Sequence, residues 1–355
     1  MSGLKYVELA EQLRNEIKTG VYRSGQRLPG ELELASKFSC SRQTIRQAIG
    51  LLVEEGLVYR MQGSGTYVQS GPARREPTKN IAVVTTYIGE HIFPAILHGI
   101  EETLTENGYS FLLSATRNRV DNERRILSDL LSKPIDGLIV EGTKTALPNP
   151  NIDLYNAFAQ QGIPVVFIDG YYPDIKSPTY VVADDRRGGR MATEILLKKG
   201  HTRIAGIFKS DDIQGHRRYA GFIQTMRAAG IEVSDDHILW YTTETRDMLL
   251  NACALDVLDG CTAAVCYNDE VALELVRLFG EKNFDPERCE LVSFDNSVYA
   301  QLSPVRFLSL QSPKEQLGRL AAEKMIHILN LQPETSTVLP WTLPEPDECK
   351  NQPTE

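Results

Sequence analysis

Between residues 80 and 296 the chain repeats one pattern, a short apolar run that ends on polar residues and is followed by an amphipathic stretch. The runs NIAVVTTYI, YSFLLSAT, DGLIVEG and PVVFIDG alternate with helical spacing over 93–107, 121–132, 154–161 and around 187–199. The rhythm returns in RIAGIF, AAVCYN and ELVSFDN. Strands buried on both faces read as continuous apolar runs, and strand–helix alternation builds a parallel sheet covered by helices. The length of the repeat predicts two such lobes rather than one. Ligands of such folds lie outside the carboxyl ends of the strands. Here those ends hold Thr86, Tyr87, Glu141, Asp169, Asn268, Asp269, Asp295 and Asn296. Carboxylates and amides beside an aromatic ring suit the hydroxyls and C–H face of a neutral sugar. Asp184 and Asp185, just before RRGGRMATEILLKKGH, read instead as caps of the helix that follows.

The first eighty residues follow a different grammar. Tyr6, Ala10, Leu13 and Ile17 recur at helical spacing and Gly20 supplies a stop. Pro29-Gly30 opens a second, short helix with Leu34, Ala35 and Phe38 inward, and Ser41 has the character of an N-cap for a third. In that third helix Ile45, Ile49 and Leu52 share one side, which leaves Arg42, Gln43 and Arg46 outside near its N-terminal end. After Gly56, LVYRMQGSGTYV alternates around a glycine turn and predicts a two-stranded wing with Gln62 at its tip, where Gly63 and Gly65 allow close approach of a backbone to phosphate. Arg can fork onto guanine and Gln onto adenine from the first turns of a helix in the major groove. Charge supports this division: the chain carries −9 overall, yet residues 1–79 hold twelve Lys/Arg against eight Asp/Glu, so that residues 80–355 carry −13. A basic head on an acidic body fits DNA binding confined to one end.

Several classes are not expected. The six cysteines, at 40, 253, 261, 266, 289 and 349, form no CxxC pair, so neither a zinc site nor a disulfide framework is suggested. No run approaches the ~18 apolar residues of a spanning helix, and the N-terminus lacks the apolar stretch of a secretion signal, so a cytoplasmic protein without a membrane partner is expected. GxSxG and GxxxxGK[ST] are missing, and no acid–base pair can be placed from spacing. Neither catalysis nor a cofactor or metal is expected.

The segment RLPGELELASKFSCSRQTIRQAIGLLVEEGLVYRMQGSGTYV resembles the N-terminal domain of GntR-type transcription regulators. The resemblance implies DNA contacts from Arg42, Thr44 and Arg46 on the recognition helix, from Glu31 on helix two, and from Gln62, Gly63 and Gly65 in the wing. Many members of that family have Arg where this chain has Leu32. The body, through GIEETLTENGYSFLLSAT, IDGLIVEG, IPVVFIDG, ATEILLKKGHTRIAGI, RYAGF, CYNDEVAL, LVSFDNS and LSLQSPKEQLGRLAAEKMI, resembles the LacI-type and periplasmic sugar-binding fold. That likeness implies sugar-binding roles for Asp169, Arg218, Asn268 and Asp295 in the second lobe and for Phe93 at the mouth of the first. Asp295 and Arg218 would then flank the ligand from opposite sides. The pairing of the two families, with TTYI, DNERR, PNI, GIFK and CYNDE, is similar to arabinose-responsive repressors of bacteria. This implies L-arabinose as effector, with Tyr87, Glu141 and Lys144 as further first-lobe contacts.

The expectation is therefore an α/β protein with an N-terminal winged helix-turn-helix (1–70), a linker (71–79) and a two-lobed LacI/periplasmic-binding-protein-like body (80–345). It would act as a homodimeric repressor on operator DNA, released by the sugar. A sugar transport protein would not need the head. A pyridoxal-phosphate enzyme of the kind fused to some GntR-type heads would need a larger body and a Schiff-base lysine at a strand end. A repressor of the same architecture that answers to another sugar or sugar phosphate is the alternative, since fold alone does not choose among ligands.

Overall fold

The patterns of apolar residues resolve, in a computed structural model, into two units divided after Thr78. Described residues are 5–23, 25–55, 57–61, 64–68, 77–89 and 92–344. The N-terminal unit holds α1 (Lys5–Lys18), α2 (Glu31–Lys37), α3 (Arg42–Glu54) and the antiparallel hairpin of β1 (Val58–Met61) and β2 (Gly65–Val68). Its core is built from the predicted inward faces: Leu13, Leu34, Ile45, Ile49 and Leu52 are buried, joined by Leu28, Val58 and Val68. One feature of the wing was not foreseen. Residues 25–28 run beside β2, with Leu28 N–H donating to Thr66 O at 2.8 Å and Val68 N–H to Gln26 O at 2.8 Å, so that a bridging segment flanks the two-stranded hairpin.

The larger unit contains the two lobes. In the first, β3 (Asn80–Thr85), β4 (Ser110–Ala115), β5 (Gly137–Val140), β6 (Val165–Ile168), β7 (Thr179–Ala183) and the late strand β13 (Thr337–Leu339) form a parallel sheet in the order β13-β7-β6-β5-β3-β4. Its helices include α4 (Phe93–Glu106), α5 (Val120–Leu131), α6 (Ile152–Gln160) and α12 (Lys314–Leu329). In the second lobe, β8 (Ile204–Lys209), β9 (Ile238–Tyr241), β10 (Ala263–Cys266), β11 (Glu290–Asp295) and β12 (Leu308–Gln311) form a parallel sheet in the order β12-β11-β10-β8-β9. Around it lie α7 (Asp185–Lys198), α8 (Ile213–Ala228), α9 (Arg246–Val257), α10 (Asp269–Glu281) and α11 (Val298–Leu302). The seven predicted runs are all strands; β7, β9, β12 and β13 are additional.

Both sheets are doubly wound, and in both the strand order reverses beside the first strand, β3 or β8, where a crevice opens at the carboxyl edge. Among the described residues the chain crosses between lobes three times: after β7 into α7, after β12 into α12, and after β13 towards Trp341, which packs in the second-lobe core. The crossings are tied together by Asp184 N–H to Leu339 O at 2.8 Å and by reciprocal bonds of Gln311 and Thr342 at 2.8 and 3.2 Å. Three parallel tethers of this kind leave hinge rotation as the soft motion. At the start of the second lobe, α7 and α8 touch backbone to backbone: a methyl group on Gly189 would strike the carbonyl of Arg218, and one on Gly221 that of Arg186. This close crossing brings Asp185 beside Arg218.

Candidate functional site

A cavity of about 370 Å³ lies in the crevice between the two lobes. Its first-lobe wall carries Thr86 and Tyr87 after β3, Ile92 and Phe93 at the start of α4, Glu141 after β5 and Asp169 after β6. The second-lobe wall carries Lys209, Asp212, Gln214, Arg218, Tyr241, Thr243, Arg246, Tyr267, Asn268, Glu270, Asp295 and Tyr299. The structure thus brings seven of the sequence-assigned residues into one lining: Tyr87, Phe93, Glu141, Asp169, Arg218, Asn268 and Asp295. Asp169 needs one correction, since it follows β6 of the first sheet and not a second-lobe strand.

Lys144 is a second correction. It is not among the described lining residues; its ammonium reaches Glu244 at 2.5 Å and Asp211 at 3.8 Å, drawn away by carboxylates of the other lobe. Among the described residues, the cations that line the cavity are Lys209, Arg218 and Arg246. Each is paired: Lys209 with Asp212 at 2.5 Å, Arg246 with Glu270, and Arg218 with Asp185 at 2.9 Å.

Arg218 is held on several sides. Its Nε donates to Asp185, its Nη1 donates to the carbonyl of Tyr267 at 2.5 Å, and its guanidinium lies 4.5–4.9 Å from the rings of Tyr267, Phe294 and Trp341. Burial opposes its charge, but Asp185 and Asp295 outweigh that and hold its pKa above the ordinary value. Asp295, at the end of β11 in the same lobe, lines the cavity with Arg218 and adds to the negative field at its guanidinium. Asp185 is 2 % exposed and serves this pair, whereas its neighbour Asp184 is the cap expected for α7, accepting the N–H of Arg187 at 3.0 Å. Cap and ligand roles coincide at Asn268, whose Oδ1 accepts the N–H of Val271 at 3.1 Å while the residue lines the cavity.

The carboxylates are braced from behind. Glu141 Oε2 accepts the N–H and hydroxyl of Thr86 at 2.6 and 2.7 Å. Burial and the nearby charge of Asp169 push Glu141 well above the usual carboxylate range. Asp169 is raised to about 7 by burial and by Asp185, and accepts from Gln214 Nε2 at 3.1 Å across the cleft. Gln214 Oε1, buried, has no hydrogen-bond partner among the described residues, so an acceptor is left at the cavity wall. Asp295 and Asn296 have left-handed backbones (φ 100 and 42). The loop is secured by buried Asp269, which accepts from Ser297 N–H at 2.7 Å, from Ser309 Oγ at 2.5 Å and from Ser293. Burial and Asp295 raise Asp269 to about 6. A strained turn held by a buried network is the form a preorganised site takes.

Sequence reasoning missed Gln214, Lys209, Arg246 and the tyrosines at 241, 267 and 299. The segment GIFKSDDIQG does carry the β8 end and the start of α8, so the strand-end rule extended by one helical turn would have reached Lys209 and Gln214.

On the N-terminal unit, Ser41 caps α3 by accepting Thr44 N–H at 3.1 Å, and its hydroxyl lies 2.8 Å from that of Thr44. Arg42, Gln43 and Arg46 are exposed along the first turns of α3. Glu31 holds the two arginines, with Arg46 Nε at 2.8 Å and Arg42 Nη2 at 3.6 Å. Gly65 opens β2 with φ 132, a conformation L side chains rarely adopt. Gln62 and Gly63 lie outside the described residues.

Residues 5–68 match the family described as bacterial regulatory proteins, gntR family. Residues 78–349 match periplasmic binding proteins and the sugar binding domain of the LacI family. The chain is 40% identical over 334 residues, 91% of its length and 88% of the relative's, to an arabinose metabolism transcriptional repressor of Halalkalibacterium halodurans. It is 38% identical to a protein of the same name from Geobacillus stearothermophilus, over 92% of this chain and 91% of that one. The transcription regulator CcpA of Lactococcus lactis shares the fold, with TM-score 0.67 at 24% identity over 76% of this chain and 98% of that structure.

Proposed function

The chain belongs to the family that joins a GntR-type DNA-binding head to a LacI-type sugar-binding body, and we propose that it represses arabinose-utilisation genes and leaves its operator when L-arabinose fills the interlobe cavity. The observation that carries the choice of ligand class is the pairing of Lys209, Arg218 and Arg246, the cavity cations among the described residues, with carboxylates. A phosphorylated sugar would need an uncompensated cation cluster, whereas hydroxyls need acceptors and a few donors. Glu141, Asp169, Asp295 and Gln214 supply acceptors, and Arg218 and Asn268 supply donors. Tyr87 and Phe93, with ring centroids 6.3 Å apart, supply an apolar wall for the C–H face. The volume lies at the low end of the ~300–1,000 Å³ typical of small-molecule sites, which suits a monosaccharide. The names of the two relatives support arabinose in particular.

On DNA, Arg42 and Arg46 would read base edges with Gln43, while Glu31 orients both arginines rather than facing phosphate itself. Ser41 and Thr44 would fix the helix start against the backbone, and Gln62, Gly63 and Gly65 would carry the wing contact. Because one winged helix reads only a few base pairs, a homodimer on a near-palindromic operator is the natural unit, in the cytoplasm where such an operator lies. A thermal-shift series against free pentoses, hexoses and their phosphates tests the ligand. At ~100 times its dissociation constant a ligand adds ~2.7 kcal/mol to stability. L-arabinose should give the largest shift; a larger shift with a sugar phosphate, or none with any pentose, would overturn the assignment.

A further inference from the structure

Lys144, excluded from the cavity, belongs to a second set of contacts that joins the lobes. Its backbone is left-handed (φ 47), its N–H donates to Asn118 Oδ1 at 2.9 Å, and its ammonium spans to Glu244 and Asp211. Asn118 itself crosses over, donating from Nδ2 to Thr243 Oγ1 at 2.6 Å. Beside them the Ile213 N–H donates to Thr145 Oγ1 at 3.0 Å, and the Ala146 N–H donates to the carbonyl of Asp211 at 3.2 Å. Asn118, Lys144, Thr145 and Ala146 sit on first-lobe loops; Asp211, Ile213, Thr243 and Glu244 follow β8 and β9 of the second lobe.

Two features make these contacts more than a surface ion pair. The carboxylate of Asp211 is fully buried, and although its Oδ2 accepts from the N–H and hydroxyl of Thr243, its Oδ1 has no hydrogen-bond partner among the described residues. Moving Lys144 away would deprive a buried charge of one of its two nearby cations, the other being Lys209 at 4.0 Å. The first-lobe loop is also stiff. Buried Glu123 accepts from Tyr155, Tyr172, Asn149 and Asn151 at 2.5–2.8 Å, and the Tyr172 hydroxyl in turn accepts the N–H of Thr143 at 2.5 Å. A loop so held cannot follow the other lobe when the hinge opens, so the bonds must break together.

We infer that Lys144, Asn118 and Thr145 form a latch across the mouth of the cleft, positioning residues that set the effector affinity by setting lobe closure without touching the effector. The inference rests on the reading that the cavity takes a sugar. Affinity for a ligand that needs the closed state scales with the population of that state, so any loosening of the latch passes directly into the apparent dissociation constant.

The test uses the full-length protein and three variants, Lys144→Met, Thr145→Val and the conservative Lys144→Arg. Hydrogen exchange at the amides of Ile213 and Ala146 reports opening without any sugar, and the amides of β5 and β10 report global stability. Lys144→Met and Thr145→Val should speed exchange at the two latch amides roughly 3- to 30-fold and weaken L-arabinose binding by a similar factor. The strand amides should be unchanged, and Lys144→Arg should stay within about twofold of the parent in both measurements. Unchanged latch exchange, or unchanged arabinose affinity in a parent that binds it, would overturn the latch. If the parent binds no arabinose, the effector reading falls, and the exchange data still decide whether the latch exists.

Discussion

Asp169 has a left-handed backbone (φ 63) at the end of β6 and a carboxyl raised to about 7 by burial and by the charge of Asp185. Because the folded state holds this proton more tightly than the unfolded chain, the contribution to stability is complete below the ordinary aspartate range near pH 4. It is lost as pH rises through about 7. Glu141, shifted in the same direction, adds to that loss. Thermal melts of the sugar-free protein should therefore fall by a few degrees between about pH 4 and pH 8, from the ordinary aspartate range to just above the raised value. Asp169→Asn should flatten the profile; an unchanged slope in that variant would place the titration elsewhere. Arg218 and Asp295 make a separate test. Charge-assisted bonds to sugar hydroxyls contribute ~1.5–3 kcal/mol each, so Arg218→Ala or Asp295→Ala should weaken arabinose binding by at least tenfold. Operator binding should persist in both. Calorimetry showing parental arabinose affinity in both variants would remove these residues from the ligand set.

Among the elements, those that carried long apolar runs were legible from sequence, and so were the polar residues at their carboxyl ends, since the end of an apolar run marks the edge of the sheet. Glu141, Asp169 and Asp295 were found in this way. Residues delivered by a helix turn, such as Gln214, leave no such mark. Nor does sequence separate Asp184 from Asp185: the first, with a non-helical backbone (φ −78, ψ 73), caps α7, and the second opens the helix and meets Arg218. Lys144 was misplaced because it lies four residues beyond the end of β5, where its direction is decided by Glu244 and Asp211, carboxylates distant in sequence. The segment 25–28 that flanks the wing is bridged to β2 by backbone bonds, which impose no alternating side-chain pattern. Two element-scale outcomes can be measured. Gly221→Ala should wedge α7 from α8 and destabilise the protein by ~1–3 kcal/mol in a urea titration; no change would mean the crossing can relax. On α3, Arg42→Ala or Arg46→Ala should cost about 1–3 kcal/mol on operator DNA and less on random duplex. Equal losses on both would show contacts to phosphate only.

For the whole molecule, the switch follows from the cleft and the hinge. A sugar that touches both lobes favours closure by the difference in its contacts to the open and closed states. In the proposed homodimer, closure would leave the two heads unable to engage both half-sites together, so that the bivalent hold on the operator is lost. Such couplings typically amount to ~1–3 kcal/mol, or roughly 5–150-fold in affinity, and linkage makes them reciprocal. The most direct measurement is a pair of titrations on the full-length protein, operator DNA with and without saturating L-arabinose and L-arabinose with and without saturating operator. The expected result is that each ligand weakens the other by the same factor. Operator affinity unaffected by arabinose would contradict the inducer role, and affinity raised by it would make the sugar a corepressor.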